Sequence, residues 1–163
     1  MSLKEMTAVV TGGASGMGEP MCYALAKEGA TIIVVDRNLD GASIVVSNVV
    51  NEGGGSIINV CSIASYMGRP NRCAYVAAKS GRLGLTRTMA IDLAPKNIRV
   101  NGISPGMIAS PFNQRFSESE ETGSAWANDN LVGRWGNPDD MNGAVVFLAS
   151  DESRDILRRI LGI

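Results

Sequence analysis

The chain has 163 residues, 45% of them hydrophobic and 19% charged, with a net charge of −1. That length fits one domain, residues 1–163, with enough chain to bury a core without disulfides or metals. No histidine is present. Its absence excludes Ser-His-Asp and Cys-His chemistry and His-ligated metal sites, so no metal centre is expected and proton transfer is left to Tyr, Lys, Asp, Glu or Cys.

No basic stripe accompanies the near-neutral charge, so nucleic acid is not an expected partner. No apolar run reaches the length of a membrane span, and no membrane partner is expected. The opening residues, Met1-Ser2-Leu3-Lys4-Glu5, lead straight into a strand pattern rather than a signal peptide. Cys22, Cys61 and Cys73 match neither a zinc spacing nor a disulfide framework, and they read as free thiols in a reducing cytoplasm.

The first predicted element is a buried strand, Thr7-Ala8-Val9-Val10-Thr11, short and rich in β-branched residues. A glycine-rich turn from Gly12 to Gly18 follows. Glu19 to Glu28 then has helical spacing, with Met21, Cys22, Leu25 and Ala26 on one face and Gly29 as a stop. Thr31 to Asp36 is a second buried strand ending in an acid. Together these elements spell a βαβ unit and a parallel sheet. Asn38 to Asn51 is a Val-rich helical segment broken by Gly53-Gly54-Gly55. Ser56 to Ser62 is a third strand. A helix is predicted from about Ala74 to Leu93, stopped by Pro95, and a fourth strand from Ile98 to Ile103.

Residues 111–130 are polar and irregular, with Glu118, Glu120 and Glu121 clustered, and read as a mobile loop or lid. Asn137-Pro138-Asp139-Asp140 is a helix start, with an N-cap, Pro at the first position and acids facing the dipole. The tail, Asp151 to Ile163, places Ile156, Leu157, Ile160 and Leu161 at helical spacing and predicts a short amphipathic helix.

The turn itself reads Thr11-Gly12-Gly13-Ala14-Ser15-Gly16-Met17-Gly18. Glycines there allow a tight turn, a close approach of backbone to a pyrophosphate, and close packing of helix on strand. The helix that follows turns its free N–H groups and positive dipole end toward an anion. Gly12, Ser15, Gly16, Met17 and Gly18 are therefore candidate cofactor contacts. Asp36 ends the next strand, where an acid hydrogen-bonds an adenosine ribose. An acid at this position favours NAD and makes NADP less suited, with Arg37 beside it able to soften that preference.

Tyr75 and Lys79 are four residues apart, hence on one face of the predicted helix. Ser62 closes the preceding strand at the carboxyl edge, where open α/β sheets bind ligands. A free tyrosine is a poor base at neutral pH. A neighbouring ammonium and an oxidised nicotinamide, both cations, favour its phenolate. Tyr75 can then exchange a proton with an alcohol or carbonyl oxygen held by Ser62, while Lys79 tunes Tyr75 and grips the nicotinamide ribose. Taken alone, the Tyr75/Lys79 pair would read as a surface pair. With the turn, Asp36 and Ser62 it reads as catalytic.

These residues together resemble the short-chain dehydrogenase/reductase family of the classical type. Thr11, Gly12, Gly16 and Gly18 match its T-G-x-x-x-G-x-G turn, Tyr75 and Lys79 its Y-x-x-x-K, and Ser62 its catalytic serine. Pro105-Gly106 matches its P-G motif, and the segment from Trp135-Gly136 to Ala149-Ser150 is similar to its R-W-G-x-P-x-x…FLAS stretch. The resemblance implies a Rossmann-like, doubly wound parallel α/β sheet. It further implies NAD(P)-dependent interconversion of a small secondary alcohol and a ketone. Pro105, Gly106, Ile108 and Ser110 would then contact the nicotinamide side of the cofactor. Asn38, in Asn38-Leu39-Asp40-Gly41, would hold a water in a proton relay behind Lys79. A homo-oligomer is also implied, joined through the Asn38–Val50 and Ala74–Leu93 helices.

The pattern is shortened relative to the family. Between Asp36 and Asn38 it lacks the second helix, the third strand, the third helix and the fourth strand with its N-N-A-G segment. The family's last strand is replaced by the Asp151–Ile163 tail. A sheet of about four strands is expected, in the order 2-1-3-4. Thr7–Thr11 then pairs directly with Ser56–Ser62, or a gap is left where the family's fourth strand lies. A non-catalytic protein that keeps only nucleotide binding or an oligomerisation surface is the alternative, and a Ser-Lys hydrolase is a third reading.

Overall fold

The structure is a computed structural model and describes residues 3–4, 6–11, 17–35 and 55–163. The β-branched runs form strands where the sequence places them. Thr7–Thr11 (β1) and Thr31–Val35 (β2) pair in parallel, from Thr7 with Thr31 to Thr11 with Val35, and Gly18–Lys27 (α1) crosses between them. Gly29, at φ +99°, turns the chain out of α1. A side chain there would meet Lys4 as well as a strained backbone.

Gly55–Val60 (β3) pairs in parallel with Ile98–Ser104 (β4), and Cys73–Leu93 (α2) is the crossover. β4 is buried at all but one position, so both of its edges must find backbone partners. The second edge is taken by the end of the chain. Ile160–Gly162 (β5) pairs in parallel with Gly102–Ser104. Asn101 Nδ2 donates to the Ile156 carbonyl at 2.7 Å, and the Arg159 N–H donates back to Asn101 Oδ1 at 3.0 Å. The expected tail helix is therefore corrected to a short 3-10 turn, Asp151–Ser153, and a strand. Backbone satisfaction of a buried edge outweighs the helical spacing of four apolar residues.

The strand order is as expected within each pair of neighbours, β2 beside β1 and β3 beside β4. It is not continuous: β1-β2 and β3-β4-β5 are two separate ladders. Direct pairing of the first strand with the third is thus corrected. Cα atoms of β1 and β3 come within 8 Å of one another. That is closer than the roughly 9.6 Å that an intervening strand would take, yet no ladder forms. A cavity of about 30 Å³ lies along this seam, lined by Ala8, Val10, Ile58 and Val60 from the strands and by Met21 and Leu25 from α1. One apolar cluster spans it, uniting Leu3, Val10, Met21 and Leu25 with Ile103, Val145 and Leu148. Among the described residues, the two ladders are joined by packing on a shared helical layer rather than by backbone hydrogen bonds.

Gln114–Ser117 (α3), Glu120–Asp129 (α4) and Asn142–Ala149 (α5) complete the α-helices among the described residues. The segment 111–130 is thus corrected from an irregular loop to two helices. Its aromatic residues explain the order: Phe116 stacks on Trp126 at 5.2 Å, Trp126 on Trp135 at 5.9 Å, and Trp135 Nε1 donates to the Gly123 carbonyl. α5 starts as predicted. The Asn137 N–H donates to Asp140 Oδ2 at 2.9 Å, and a first 3-10 turn, Pro138–Met141, leads into the helix. That hydrogen bond and Arg134, 3.0 Å away, hold the Asp140 carboxyl below the usual carboxylate range. The other end of α5 is closed by Arg99 of β4. Its guanidinium donates to the carbonyls of Leu148, Ala149, Ser150 and Ser153 and to Ser153 Oγ. Burial lowers the Arg99 pKa. Among the described residues, no helix is long and apolar enough to cross a membrane.

Candidate active site

The site grows from the carboxyl ends of β3 and β4. β3 stops at Val60, so Ser62 lies just past the strand rather than at its end. Its backbone stays extended, at φ −165° and ψ 152°, and it begins a 3-10 turn over Ile63–Ser65. The Ser62 hydroxyl is buried and accepts the Ala64 N–H at 3.2 Å. The neighbouring strand end is fixed to it, because the Ile63 N–H donates to the Pro105 carbonyl. β5 secures the other side: the Gly106 N–H donates to the Ile163 carbonyl at 2.7 Å.

α2 brings Tyr75 and Lys79 to the same place. Lys79 Nζ is 5.8 Å from the Tyr75 ring centroid and donates to the Val60 carbonyl at 3.0 Å. Burial lowers the Lys79 pKa, Arg82 adds to the effect, and Cys61 opposes it. Burial also raises the Cys61 thiol, against a hydrogen bond from Thr86 and the charge of Lys79.

Asn113 fixes the loop after β4. Its Oδ1 accepts from the Ser110 N–H at 2.9 Å and from Ser110 Oγ at 3.1 Å, while its Nδ2 donates to the Ile108 carbonyl at 2.7 Å. A parallel bridge between Ile108 and Gly136 ties this loop to the segment before α5. Gly136 is a close approach: a Cβ there would lie 2.5 Å from Ile108 Cδ1.

A cavity of about 410 Å³ opens between these elements. Ser62, Tyr75, Lys79, Pro105, Gly106, Ile108 and Ser110 all line it, together with Met17 from the turn before α1. Its size and mixed lining suit the nicotinamide end of a dinucleotide with a small substrate beside it. Lys79 and Ser110 would hold that end, and Ser62 and Tyr75 would face the substrate. Gly18 begins α1 and is buried, away from the cavity lining. Gly12, Ser15, Gly16, Asp36, Arg37 and Asn38 lie outside the described residues, as does the predicted helix 38–51.

Sequence reasoning missed three contributors. Phe112 stacks on Tyr75, with centroids 6.2 Å apart and an interplanar angle of 23°. Asn113 organises the loop, and Arg72 lines the cavity. A compositional signal was available. The chain has two Trp and three Phe, and both tryptophans and two of the phenylalanines fall between 112 and 135. Such clustering argues for packing rather than for a free loop.

The family described as "Enoyl-(Acyl carrier protein) reductase" matches residues 42–161, and the one described as "short chain dehydrogenase" matches residues 6–54. The chain belongs to the short-chain dehydrogenase/reductase family. Among its relatives is the 3-oxoacyl-[acyl-carrier-protein] reductase FabG of Thermotoga maritima, 36% identical over 135 residues, 80% of this chain and 54% of that protein. Another is the cyclopentanol dehydrogenase of Comamonas testosteroni, 41% identical over 99 residues, 61% of this chain and 40% of that protein. The chain thus spans about half the length of the curated relatives it matches. A gluconate 5-dehydrogenase from Burkholderia cenocepacia J2315, in complex with NADP and tartrate, shares its fold. The TM-score is 0.88 at 24% identity, covering 99% of this chain and 94% of that one. This likeness establishes the Rossmann-like α/β fold that the short-chain dehydrogenase/reductase motifs imply.

Proposed function

We propose that the chain acts as an NAD(P)-dependent oxidoreductase that interconverts a secondary alcohol and a ketone. The observation that carries this reading is the convergence of Ser62, Tyr75 and Lys79 on one cavity with Pro105, Gly106, Ile108 and Ser110. The bound cofactor would supply the hydride acceptor or donor. Ser62 holds the substrate oxygen by hydrogen bond, and Tyr75 takes its proton during oxidation or returns it during reduction. The Lys79 ammonium stabilises the phenolate. Its donation to the Val60 carbonyl fixes its position and leaves further donors for a ribose. Phe112, stacked on the tyrosine ring, holds the ring orientation. Asn38 keeps its relay role as part of the proposal.

The expectation that NADP is the poorer fit does not stand. It rested on Asp36, which lies outside the described residues, and a fold neighbour holds NADP. The proposal is NAD or NADP, unranked. A cytoplasmic setting is supported by Cys22, Cys61 and Cys73, which form no disulfide among the described residues. Self-association is supported by the exposure of Ala74, Ala77, Ala78 and Leu85 along α2, whereas Leu83 is in the core.

The test is turnover of a panel of secondary alcohols and ketones, followed by absorbance of the reduced nicotinamide. The expected result is activity with at least one pair, cut by a factor of roughly 10² or more in Tyr75→Phe. Equal turnover in wild type and Tyr75→Phe would sink the mechanism. A second reading, cofactor binding without catalysis, is favoured by one observation: β1 and β3 share no ladder. Calorimetric binding of NAD(P) without turnover would support it.

A further inference from the structure

We propose that Asn113 is a positioning residue for the cofactor: it takes the hydroxyl proton of Ser110 and so turns Ser110 into a fixed acceptor for the carboxamide N–H of a nicotinamide. This rests on the oxidoreductase reading above and assigns part of its cofactor recognition. The Asn113 amide can be seated one way only. Its Nδ2 lies 2.7 Å from the Ile108 carbonyl oxygen, and its Oδ1 lies 2.9 Å from the Ser110 backbone nitrogen. A peptide carbonyl only accepts and a peptide N–H only donates, so these two backbone groups settle which end of the amide is oxygen. Ser110 Oγ is 3.1 Å from that same oxygen. The hydroxyl must donate there, because an amide oxygen has no hydrogen to give.

A hydroxyl has one hydrogen and two lone pairs. With its hydrogen committed to Asn113, the Ser110 hydroxyl has only lone pairs left for the cavity that both residues line. The rest of the lining leaves few acceptors. Arg69, Arg72 and Lys79 bring side-chain donors and no side-chain acceptor. Asn113 Oδ1 is filled by its two contacts with Ser110. Ser62 and Tyr75 are engaged with the substrate oxygen in the proposed mechanism. Of the described lining side chains, Ser110 therefore offers the oxygen left for an incoming N–H. The loop around it is held on both sides. The Asn113 N–H donates to the Ser110 carbonyl at 3.0 Å, and the Asn113 carbonyl accepts the Phe116 N–H in α3. The Ala109 N–H and the Met107 carbonyl are paired with Gly136. A clasp for stability alone is complete with the two backbone contacts of the amide. The third contact, to the hydroxyl, gives the cavity wall its polarity. An acceptor there takes the nitrogen of a carboxamide rather than its oxygen, and so fixes which way round that group is bound.

The test is calorimetric binding of two dinucleotides to the full chain: NAD, and 3-acetylpyridine adenine dinucleotide, in which a methyl group replaces the carboxamide NH2. The 2′-phosphorylated pair is run in parallel. The carboxamide dinucleotide is expected to bind at least roughly tenfold more tightly, since the analogue leaves the Ser110 acceptor unpaired. Asn113→Ala frees the hydroxyl to donate and is expected to bring the two within about threefold of each other. Asn113→Asp keeps an acceptor oxygen and loses the donation to Ile108, so it is expected to retain the preference. Ser110→Ala removes the acceptor while both backbone contacts of Asn113 stay in place. It is expected to level the two as Asn113→Ala does, and it reads the same acceptor where Asn113→Ala does not fold. The proposal is overturned if wild type binds carboxamide and analogue alike, or binds neither pair at millimolar concentration. It is also overturned if Ser110→Ala keeps the preference, or if Asn113→Ala and Asn113→Asp change it equally. Turnover of secondary alcohols on the same samples separates the two claims. Turnover with no binding preference overturns the Asn113 proposal and keeps the oxidoreductase. A preference that Asn113→Ala removes, without turnover of any alcohol by wild type, does the reverse.

Discussion

β4 has a hydrogen-bonded neighbour on each edge, β3 and β5, whereas β1 has β2 on one side and faces β3 across a seam with no ladder. The contrast separates the site into two parts. Ser62, Tyr75, Lys79, Pro105 and Ser110 all stand on the three-stranded region or on the helix and loop attached to it. Among the described residues, Met17 is the contribution of the two-stranded region to the cavity. Ser62 and Pro105 are thus held on strand ends joined by backbone hydrogen bonds, and Lys79 ties α2 to them through the Val60 carbonyl. Among the described residues, the β1–β2 region is joined to them by side-chain packing. Packing resists separation of the two regions, but it fixes strand register less firmly than a ladder does.

The largest test of this contrast is Arg99→Ala. The substitution leaves the last carbonyls of α5 without their guanidinium partner, and α5 is the helix that bridges both regions. Loss of about 3 kcal/mol in urea denaturation is expected. A loss under about 1 kcal/mol would show that the bridge does not depend on this cap.

A smaller effect separates the regions directly. Val100 is fully buried in β4, and Val10 lies at the seam beside an existing cavity. Truncation of each to Ala should cost about 2 kcal/mol at Val100 and about half that at Val10, since the seam is already underpacked. Equal costs would mean that the seam is packed as tightly as the sheet.

The smallest effect concerns pH. Burial, and next Arg82, lower the Lys79 pKa, so between that depressed value and the ordinary lysine range the unfolded chain binds more protons. Stability therefore rises with pH across this window. Lys79→Met should flatten that rise in thermal melts. A slope identical to wild type would show that Lys79 is not the group responsible.

The strands of both regions were legible because short β-branched runs have few other ways to be buried. Ser62, Tyr75 and Lys79 were legible because a strand end and a four-residue helical spacing bring them together. β5 was not, because Ile160 and Leu161 carry helical spacing and only the open edge of β4 makes a strand the better answer. The helices of residues 114–129 were missed for a similar reason: a stack of Phe116, Trp126 and Trp135 holds them, and this contact spans residues far apart in the chain. The seam depends on a missing strand. The sequence left direct pairing and a gap both open, and the shared packing of α1 and α5 produced an intermediate spacing.

Energy transfer from tryptophan to a reduced nicotinamide tests the central claim most directly. Trp126 lines the cavity and stacks on Trp135, so a nicotinamide ring that reaches Tyr75 lies beside an efficient donor. Exciting tryptophan while adding NADH or NADPH should give sensitised nicotinamide emission that saturates. Trp126→Phe should reduce it without weakening binding measured by calorimetry. Calorimetric binding with no sensitised emission would contradict the account, because the cofactor would then dock on the β1–β2 region without reaching Ser62, Tyr75 and Lys79.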